Sequence, residues 1–458
     1  MATNPPCPIH PGGPPAEAPP RGRWWRRGTA HRYAPAHRYA PAHPTGWRRT
    51  RYAGLIALLA LSGLVILALV RRQTGTAGFF VGLGLAVLPV PLLIATFRWL
   101  DRVEPAPRPQ LVFAFSWGAC AAALIAIVTN SFAIRWIATA TADPGGADTL
   151  GATVIAPVVE ESAKAAAILL VFLFRRRDFT GIVDGVVVAG VTATGFAFTE
   201  NILYLGNAFG TDQADGDTGI APVTVATFFV RVVMSPFAHP LFTVFTGIGF
   251  GIAAVAGERQ RLLRLLSPPA GLLLAIAVHA FWNGSPSLGD YGFLAVYAAF
   301  MVPVFALLTW LVIWTRQREL RVVREELPAY VAAGWLSPAE PYALGSMRAR
   351  RLAREYAGRR LGRRAARTVA EYQAYATSLA VLRRRGDRGR ARADFVPRER
   401  ELLTALWHRR NIAGPALAHA ARLTPPPFPA TDPRRQPYGS TAQPLPPQHP
   451  APYNPYRT

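Results

Sequence analysis

The residues best equipped for chemistry in this chain lie where charge is least welcome. Glu160, Glu161 and Lys164 interrupt the apolar run APVVEESAKAAAILLVFLF (156–174); Glu200 and Asn201 fall in FAFTENILYL (196–205), His239 in FAHPLFT (237–243), and His279 and Asn283 in VHAFWNGS (278–285). Within a bilayer each charged side chain costs roughly 2.5–3.5 kcal/mol by insertion scales, so such groups are paired or functional. The i, i+4 spacing puts Glu160 and Lys164 on one helix face with Glu161 at i, i+3 beside them, and a self-compensated packing triad is one reading. Two observations favour a site. Lys164 is the single lysine among 50 cationic residues, and His239 and His279 are the only histidines between 53 and 315. Two imidazoles and one carboxylate, with a further Glu to spare, are the donors of a catalytic zinc site. Zinc lowers the pKa of bound water to about 7 and polarises a carbonyl, while the spare Glu carries the proton to the leaving amine. Peptide hydrolysis in the plane of the membrane is the matching reaction. The H-E-x-x-H pair of soluble zinc proteases is absent, so the ligands have to come from separate helices.

Eight apolar segments carry these residues, at about 53–70, 77–97, 110–133, 149–174, 180–206, 223–256, 268–283 and 291–315. Most approach or exceed the roughly 20 residues that cross hydrocarbon at about 1.5 Å per residue. The sixth is too long for one straight span, and Pro236 and Pro240 should break or kink it; the seventh is short. The expected fold is all-α: a polytopic membrane bundle of about eight transmembrane helices over 49–315, then a small cytosolic helical appendage over 316–424. Within that appendage, 319–336, about 346–385 and 398–414 read as amphipathic helices. Disordered tails over 1–48 and 425–458 complete the chain, because their Pro-, Gly- and Arg-rich compositions bury too little to order themselves. The tandem AHRYAPAHRYAPAH in the first tail reads as low complexity rather than as a metal site.

The net charge of +24 resides in the flanks, since residues 52–315 balance 14 basic against 14 acidic side chains. Basic flanks of a membrane block indicate cytoplasmic retention and a bilayer with anionic headgroups as partner, with nucleic acid the lesser reading. Arg98, Arg102 and Arg108 follow segment two, Arg175, Arg176 and Arg177 follow segment four, and Arg259, Arg261 and Arg264 follow segment six. The loops after segments five and seven carry no Lys or Arg, so both termini are expected in the cytoplasm. Arg71 and Arg72 run against this scheme unless they snorkel. Glu160 and Glu161 then lie about 11 residues, roughly 16 Å, below the outer surface, and the other candidate groups share the middle-to-outer depth. Cys7 and Cys120 are placed too differently to pair, and no thiol chemistry is indicated. No apolar segment precedes Tyr52, so the first span is expected to be an uncleaved anchor.

Four motifs in order resemble the PrsW family of intramembrane proteases, related to the CAAX prenyl endopeptidase and bacteriocin-processing superfamily. They are E-E-x-x-K at Glu160, Glu161 and Lys164; F-x-x-x-E-N at Phe196, Glu200 and Asn201; H-P-L-F-T from His239; and H-x-x-W-N at His279, Trp282 and Asn283. The resemblance covers about residues 98–315. It implies an integral membrane metalloprotease that cuts a membrane-anchored protein, such as an anti-sigma factor, at the extracytoplasmic side. It implies that Glu160 and Glu161 are essential, one of them the general base, and that His239, His279 and Glu200 are ligands of a metal, zinc being expected. In the prenyl-protease relatives a metal-free scheme is also argued, in which Glu and His activate water and a His/Asn pair stabilises the oxyanion. Asn283, four residues after His279 and on its face, suits that role in either scheme. Asp184 lies about 16 residues, roughly 24 Å, from Glu200 and outside the site. Arg231 reads as a structural partner of Glu200 or a holder of a substrate carbonyl. The competing class is a proton-coupled transporter or channel using the same Glu, Lys and His; it calls for a charged path to the inner face, toward which only Asp184 extends. An Arg-tailed membrane scaffold is the third reading.

Overall fold

The computed structural model describes residues 46–424 apart from 104, 176–178, 180, 218, 258–259 and 387–394, and without the side chains of 46–49, 51 and 52. The two expected disordered tails, the His-containing repeat and Cys7 lie outside the described residues. Among those described, regular structure is helical throughout, with no strand. Lipid imposes this, because each backbone N–H must find its carbonyl within its own helix. The described residues divide into two compact units, one ending at Arg316 and the other starting at Gln317.

The first unit contains α1 (Gly46–Val87), α2 (Val90–Leu100), α3 (Arg108–Thr141, with a π-helical turn at Trp117–Ala122), α4 (Ala156–Phe174), α5 (Ile182–Ala214), α6 (Pro222–Phe228, continued by a π-helical turn at Phe229–Met234), α7 (Ala238–Val255), α8 (Arg261–Asn283) and the part of α9 (Val302–Glu326) up to Arg316. Six stretches are long and apolar enough to cross a membrane: Ala53–Leu100, Arg108–Thr141, Ile182–Ala214, Pro222–Val255, Arg261–Asn283 and Gly292–Ala332. The first covers 48 residues, about 72 Å as a single helix, which is more than twice the hydrocarbon thickness. Gly75, at φ 71 and ψ 171, breaks it into two crossings with a conformation open only to glycine. α4 is a seventh stretch of apolar character, set apart by three charges in 19 residues. Six apolar spans among the described residues, against the eight that the hydrophobic pattern predicts, make the chain an all-α polytopic integral membrane protein.

The predicted break in the sixth segment falls at 235–237 and contains Pro236, whereas Pro240 sits in the first turn of α7, where its missing N–H leaves no bond unmade. α8 begins at Arg261 rather than near 268 and carries Pro268 and Pro269 in its interior, each without the N–H that would make a backbone hydrogen bond. α5 is the axis of the unit: 89% of its most apolar window is buried, against 17% for Ala53–Leu100, which faces lipid. It is packed backbone to backbone. A Cβ placed on Gly185 of α5 would lie 2.0 Å from the Gly247 carbonyl oxygen of α7, so only glycines allow this approach. Val187 and Val188 of α5, Ile168 of α4 and Phe242 of α7 fill the core around that contact.

The second unit contains α10 (Pro328–Ala332), α11 (Glu340–Leu344), α12 (Met347–Arg385), α13 (Phe395–Trp407) and α14 (Arg410–Arg422). The expected helix over 319–336 is interrupted at Leu327, and the one over 398–414 is divided between α13 and α14. α12 starts where Ser346 caps it, its side chain accepting from the Ala349 amide, and folds back on itself at Gly362 (φ 84). Arg350 Nη2 donates to Thr377 Oγ1 and Arg354 Nη1 to Gln373 Oε1, both at 2.6 Å, pairings that only an antiparallel hairpin can make. Leu327, Tyr330, Leu344, Val369, Leu379 and Leu417 form the core of this unit.

Candidate active site

Four helices deliver the site. Glu160 lies in the second turn of α4 and His239 in the first turn of α7, while His279 is one turn from the end of α8, which runs opposite to α4 and α7 and so presents its group at the same end of the bundle. α5 adds Glu200 from its second half. Local sequence explains the placement. Pro157 opens α4 immediately after a π-helical turn at Gly151–Ile155, and the break around Pro236 lets the chain restart with His239.

Glu161 is wholly buried and fully bonded. Its Oε1 accepts from Lys164 Nζ at 2.8 Å and from His279 Nδ1 at 3.0 Å, and its Oε2 accepts from Thr243 Oγ1 at 2.8 Å. A carboxylate partner requires the proton on Nδ1 of His279, which leaves Nε2 bare and 3.9 Å from Glu160 Oε2. Phe242 stacks on the His279 ring at 4.6 Å and fixes its plane. Lys164 Nζ also lies 3.4 Å from Glu160 Oε2, 3.2 Å from His239 Nδ1 and 3.9 Å from the centre of the Phe196 ring. His239 Nε2 donates to Glu200 Oε2 at 2.6 Å, so its Nδ1 is the acceptor facing Lys164. Glu200 is in turn paired with Arg231 Nη2, whose Nε donates to Asn201 Oδ1 at 2.8 Å and whose guanidinium lies over the Tyr204 ring. Accessibility rises in one direction across this network. Side chains of Glu161 and Lys164 are 0% exposed, Glu160 8%, His239 12%, Glu200 16% and Arg231 22%. Glu160 and His239 therefore sit between the sealed interior and the more accessible edge of the network.

The structure brings together Glu160, Glu161, Lys164, Glu200, His239 and His279. Asn283 is placed at the end of α8, where its Nδ2 donates to the Ala152 carbonyl at 2.9 Å and ties α8 to the turn before α4. Ligand atoms of Glu160, His239 and His279 all lie within 4.8 Å of one another. Glu200, expected among the metal ligands, is bonded to one member of that group, His239, and to Arg231. Arg231 takes the pairing role with Glu200. Asp184 is buried near the start of α5, at the far end of that helix from Glu200. Sequence reasoning missed Thr243 and Phe242. Thr243 had a signal, since it follows His239 by four residues and so shares its helix face.

Residues 106–308 match the profile of a family described as PrsW family intramembrane metalloprotease. The chain carries a PrsW-family protease domain. All six clustered groups, and Arg231 and Thr243 that support them, lie within the matched residues. Neither the curated proteins nor the solved structures give a match. A PrsW domain makes the protein an enzyme, a peptidase acting within the membrane, and the transporter and scaffold readings fall away. The donor chemistry also fits the metal in the family's description. His279 has the carboxylate-held Nδ1 and open Nε2 usual in metal-ligating imidazoles. Two imidazoles and a carboxylate within 4.8 Å supply a zinc-type set. His239 would give up one contact, to Lys164 or to Glu200, in joining it.

Proposed function

We propose that this PrsW-family protease hydrolyses a peptide bond of a membrane-anchored protein with Glu160 as general base. The observation that supports it is the inequality of two adjacent carboxylates. Glu161 accepts three hydrogen bonds, whereas Glu160 Oε2 has Lys164 at 3.4 Å and His279 Nε2 at 3.9 Å. A carboxylate saturated with donors is a weak proton acceptor; a buried one with long contacts is a strong one. Glu160 takes a proton from a water lying between it and the two imidazoles, and returns it to the leaving amine. Glu161 meanwhile holds the ring of His279 through Nδ1, and Lys164 ties Glu160, Glu161 and His239 into one geometry. Arg231 fixes Glu200, which orients His239 through Nε2. Zinc held by His239 and His279, with Glu200 as the carboxylate and Glu160 left free as base, would supply Lewis-acid polarisation and an acidified water.

The arginine distribution between spans supports cytoplasmic termini, which sets the helix ends bearing the site toward the extracytoplasmic face. A single-span protein such as an anti-sigma factor, cut near that face, is the substrate this arrangement suits. The irregular backbone at 235–237, next to His239, gives support as well, since such backbone at membrane depth is tolerated where it lines a cavity. The test is cleavage of a single-span substrate by purified protein, with metal content measured on the same sample. Wild type should cleave and carry about one zinc per chain, and His279→Ala should lose both. Undiminished cleavage by His279→Ala defeats the proposal; cleavage by wild type without bound metal rejects zinc alone.

A further inference from the structure

We propose that the turn of the α12 hairpin is a docking surface for an anionic lipid bilayer. Arg359, Arg360, Arg363, Arg364 and Arg367 are all exposed, and Leu361 at the turn is 63% exposed. No acidic residue lies between Glu355 and Glu371. Among the described residues none of these five guanidiniums has an ion-pair partner; Arg360 alone has a ring contact, 5.8 Å from the centre of Tyr356. Several other arginines of the unit are matched. Arg384 pairs with Glu325 and Glu326, Arg409 pairs with Glu371 at 2.8 Å, and Arg350 is buried against the Leu344 carbonyl and Thr377. The tip thus gathers five exposed arginines within residues 359–367 with no acidic neighbour.

Geometry identifies the partner. Gly362, at φ 84, makes the reversal that a residue with a Cβ would resist, and it leaves Leu361 projecting between two pairs of arginines. The arm from 347 to 361 is about 22 Å of helix, braced by the Arg350 and Arg354 cross-links to the returning strand of the hairpin. Guanidiniums bind phosphate bidentately, and an apolar side chain among them can enter the acyl boundary. A nucleic-acid backbone would answer the arginines but gain nothing from the exposed leucine. The chain is also anchored in a bilayer already, so docking is intramolecular, and at the millimolar effective concentrations of short tethers a weak surface affinity suffices.

The test uses the full chain, with Cys7→Ser and Cys120→Ser, carrying a polarity-sensitive fluorophore attached through Leu361→Cys. It is reconstituted in nanodiscs of phosphatidylcholine alone or with phosphatidylglycerol. The expected result is a blue shift only in the anionic discs, lost at high salt and lost when all five arginines are changed to Gln. Arg363→Gln alone should lower the docked-to-free ratio about fivefold. All five positions are exposed, so an unchanged unfolding temperature of the variants verifies the fold. Identical emission in both discs, or a shift that survives salt and all five substitutions, overturns the proposal. Binding of an oligonucleotide by wild type but not by the five-Arg variant, with emission indifferent to lipid, overturns it in favour of nucleic acid. The discs carry the same lipid on both faces, so the result is independent of the orientation and of the protease reading.

Discussion

Glu161→Gln and Glu160→Gln change neighbouring residues in the same way, yet the network predicts opposite consequences for stability and catalysis. Glu161 is bonded by Lys164 at 2.8 Å, His279 at 3.0 Å and Thr243 at 2.8 Å. A glutamine there can keep its oxygen toward Lys164 and His279, and the Thr243 hydroxyl can turn to accept from the new amide. What is lost is charge. Lys164, fully buried, keeps only Glu160 at 3.4 Å as a carboxylate partner. Stranding one member of a buried ion pair costs about 3–5 kcal/mol, and the remaining contact to Glu160 argues for the lower end, about 3 kcal/mol. At about 2 °C per kcal/mol for a unit of this size, the melting temperature should fall by about 6 °C. Glu160→Gln leaves the 2.8 Å pair intact, so the melting temperature should stay within about 2 °C while cleavage drops about 10²–10⁴-fold. Adding Lys164→Met to Glu161→Gln removes the stranded ammonium and should restore about 2 kcal/mol, a coupling readable in a double-mutant cycle. Thermal unfolding of purified protein by tryptophan fluorescence, beside cleavage of a single-span substrate, measures all of these. Should Glu160→Gln prove the destabilised variant, or Lys164→Met fail to rescue Glu161→Gln, the division of labour between the two carboxylates is wrong.

Two further outcomes follow from packing and burial. Gly185→Val forces a Cβ to 2.0 Å from the Gly247 carbonyl and should cost about 3 kcal/mol, lowering the melting temperature because α5 and α7 must separate at that contact; an unchanged melting temperature would contradict the backbone contact. Burial raises the carboxyl of Glu340 above its ordinary value of 4.5, outweighing its bonds from the Ser337 amide and Tyr372. The folded state thus holds that proton more tightly than the unfolded chain, so this group's contribution weakens as pH climbs above about 4.5. Glu340→Gln should therefore gain melting temperature relative to wild type as pH is raised from 4 to 7, and a difference independent of pH would refute the assignment.

The membrane architecture was legible because it depends on composition along the chain. Runs of about 20 apolar residues, Pro236 in an overlong segment and the Ser346 cap are local signals, and the structure has a crossing, a break and a helix start at those places. Six of the site groups were visible for the same reason, since charge in an apolar run cannot be inconspicuous. Partnership was not legible. Whether Glu160 or Glu200 stands nearer both imidazoles depends on how four separate helices pack together, which is tertiary contact with no local signal. Asn283 shows the same limit: its helix face was predictable, but its bond to Ala152 arises from a π-helical turn that no periodicity announces. The start of α8 at Arg261 was missed because a tandem proline reads as a boundary, yet both prolines lie inside the helix.

The central claim is that Glu160, set between the imidazoles of His239 and His279, activates the water that cuts the substrate. Its most direct measurement is the single-turnover cleavage rate of a single-span substrate in proteoliposomes, for wild type and for a Glu160→Gln protein with wild-type melting temperature. The account predicts a loss of at least about 100-fold. A Glu160→Gln protein that cuts within about twofold of wild type, a difference of only about 0.4 kcal/mol in the barrier, would contradict it.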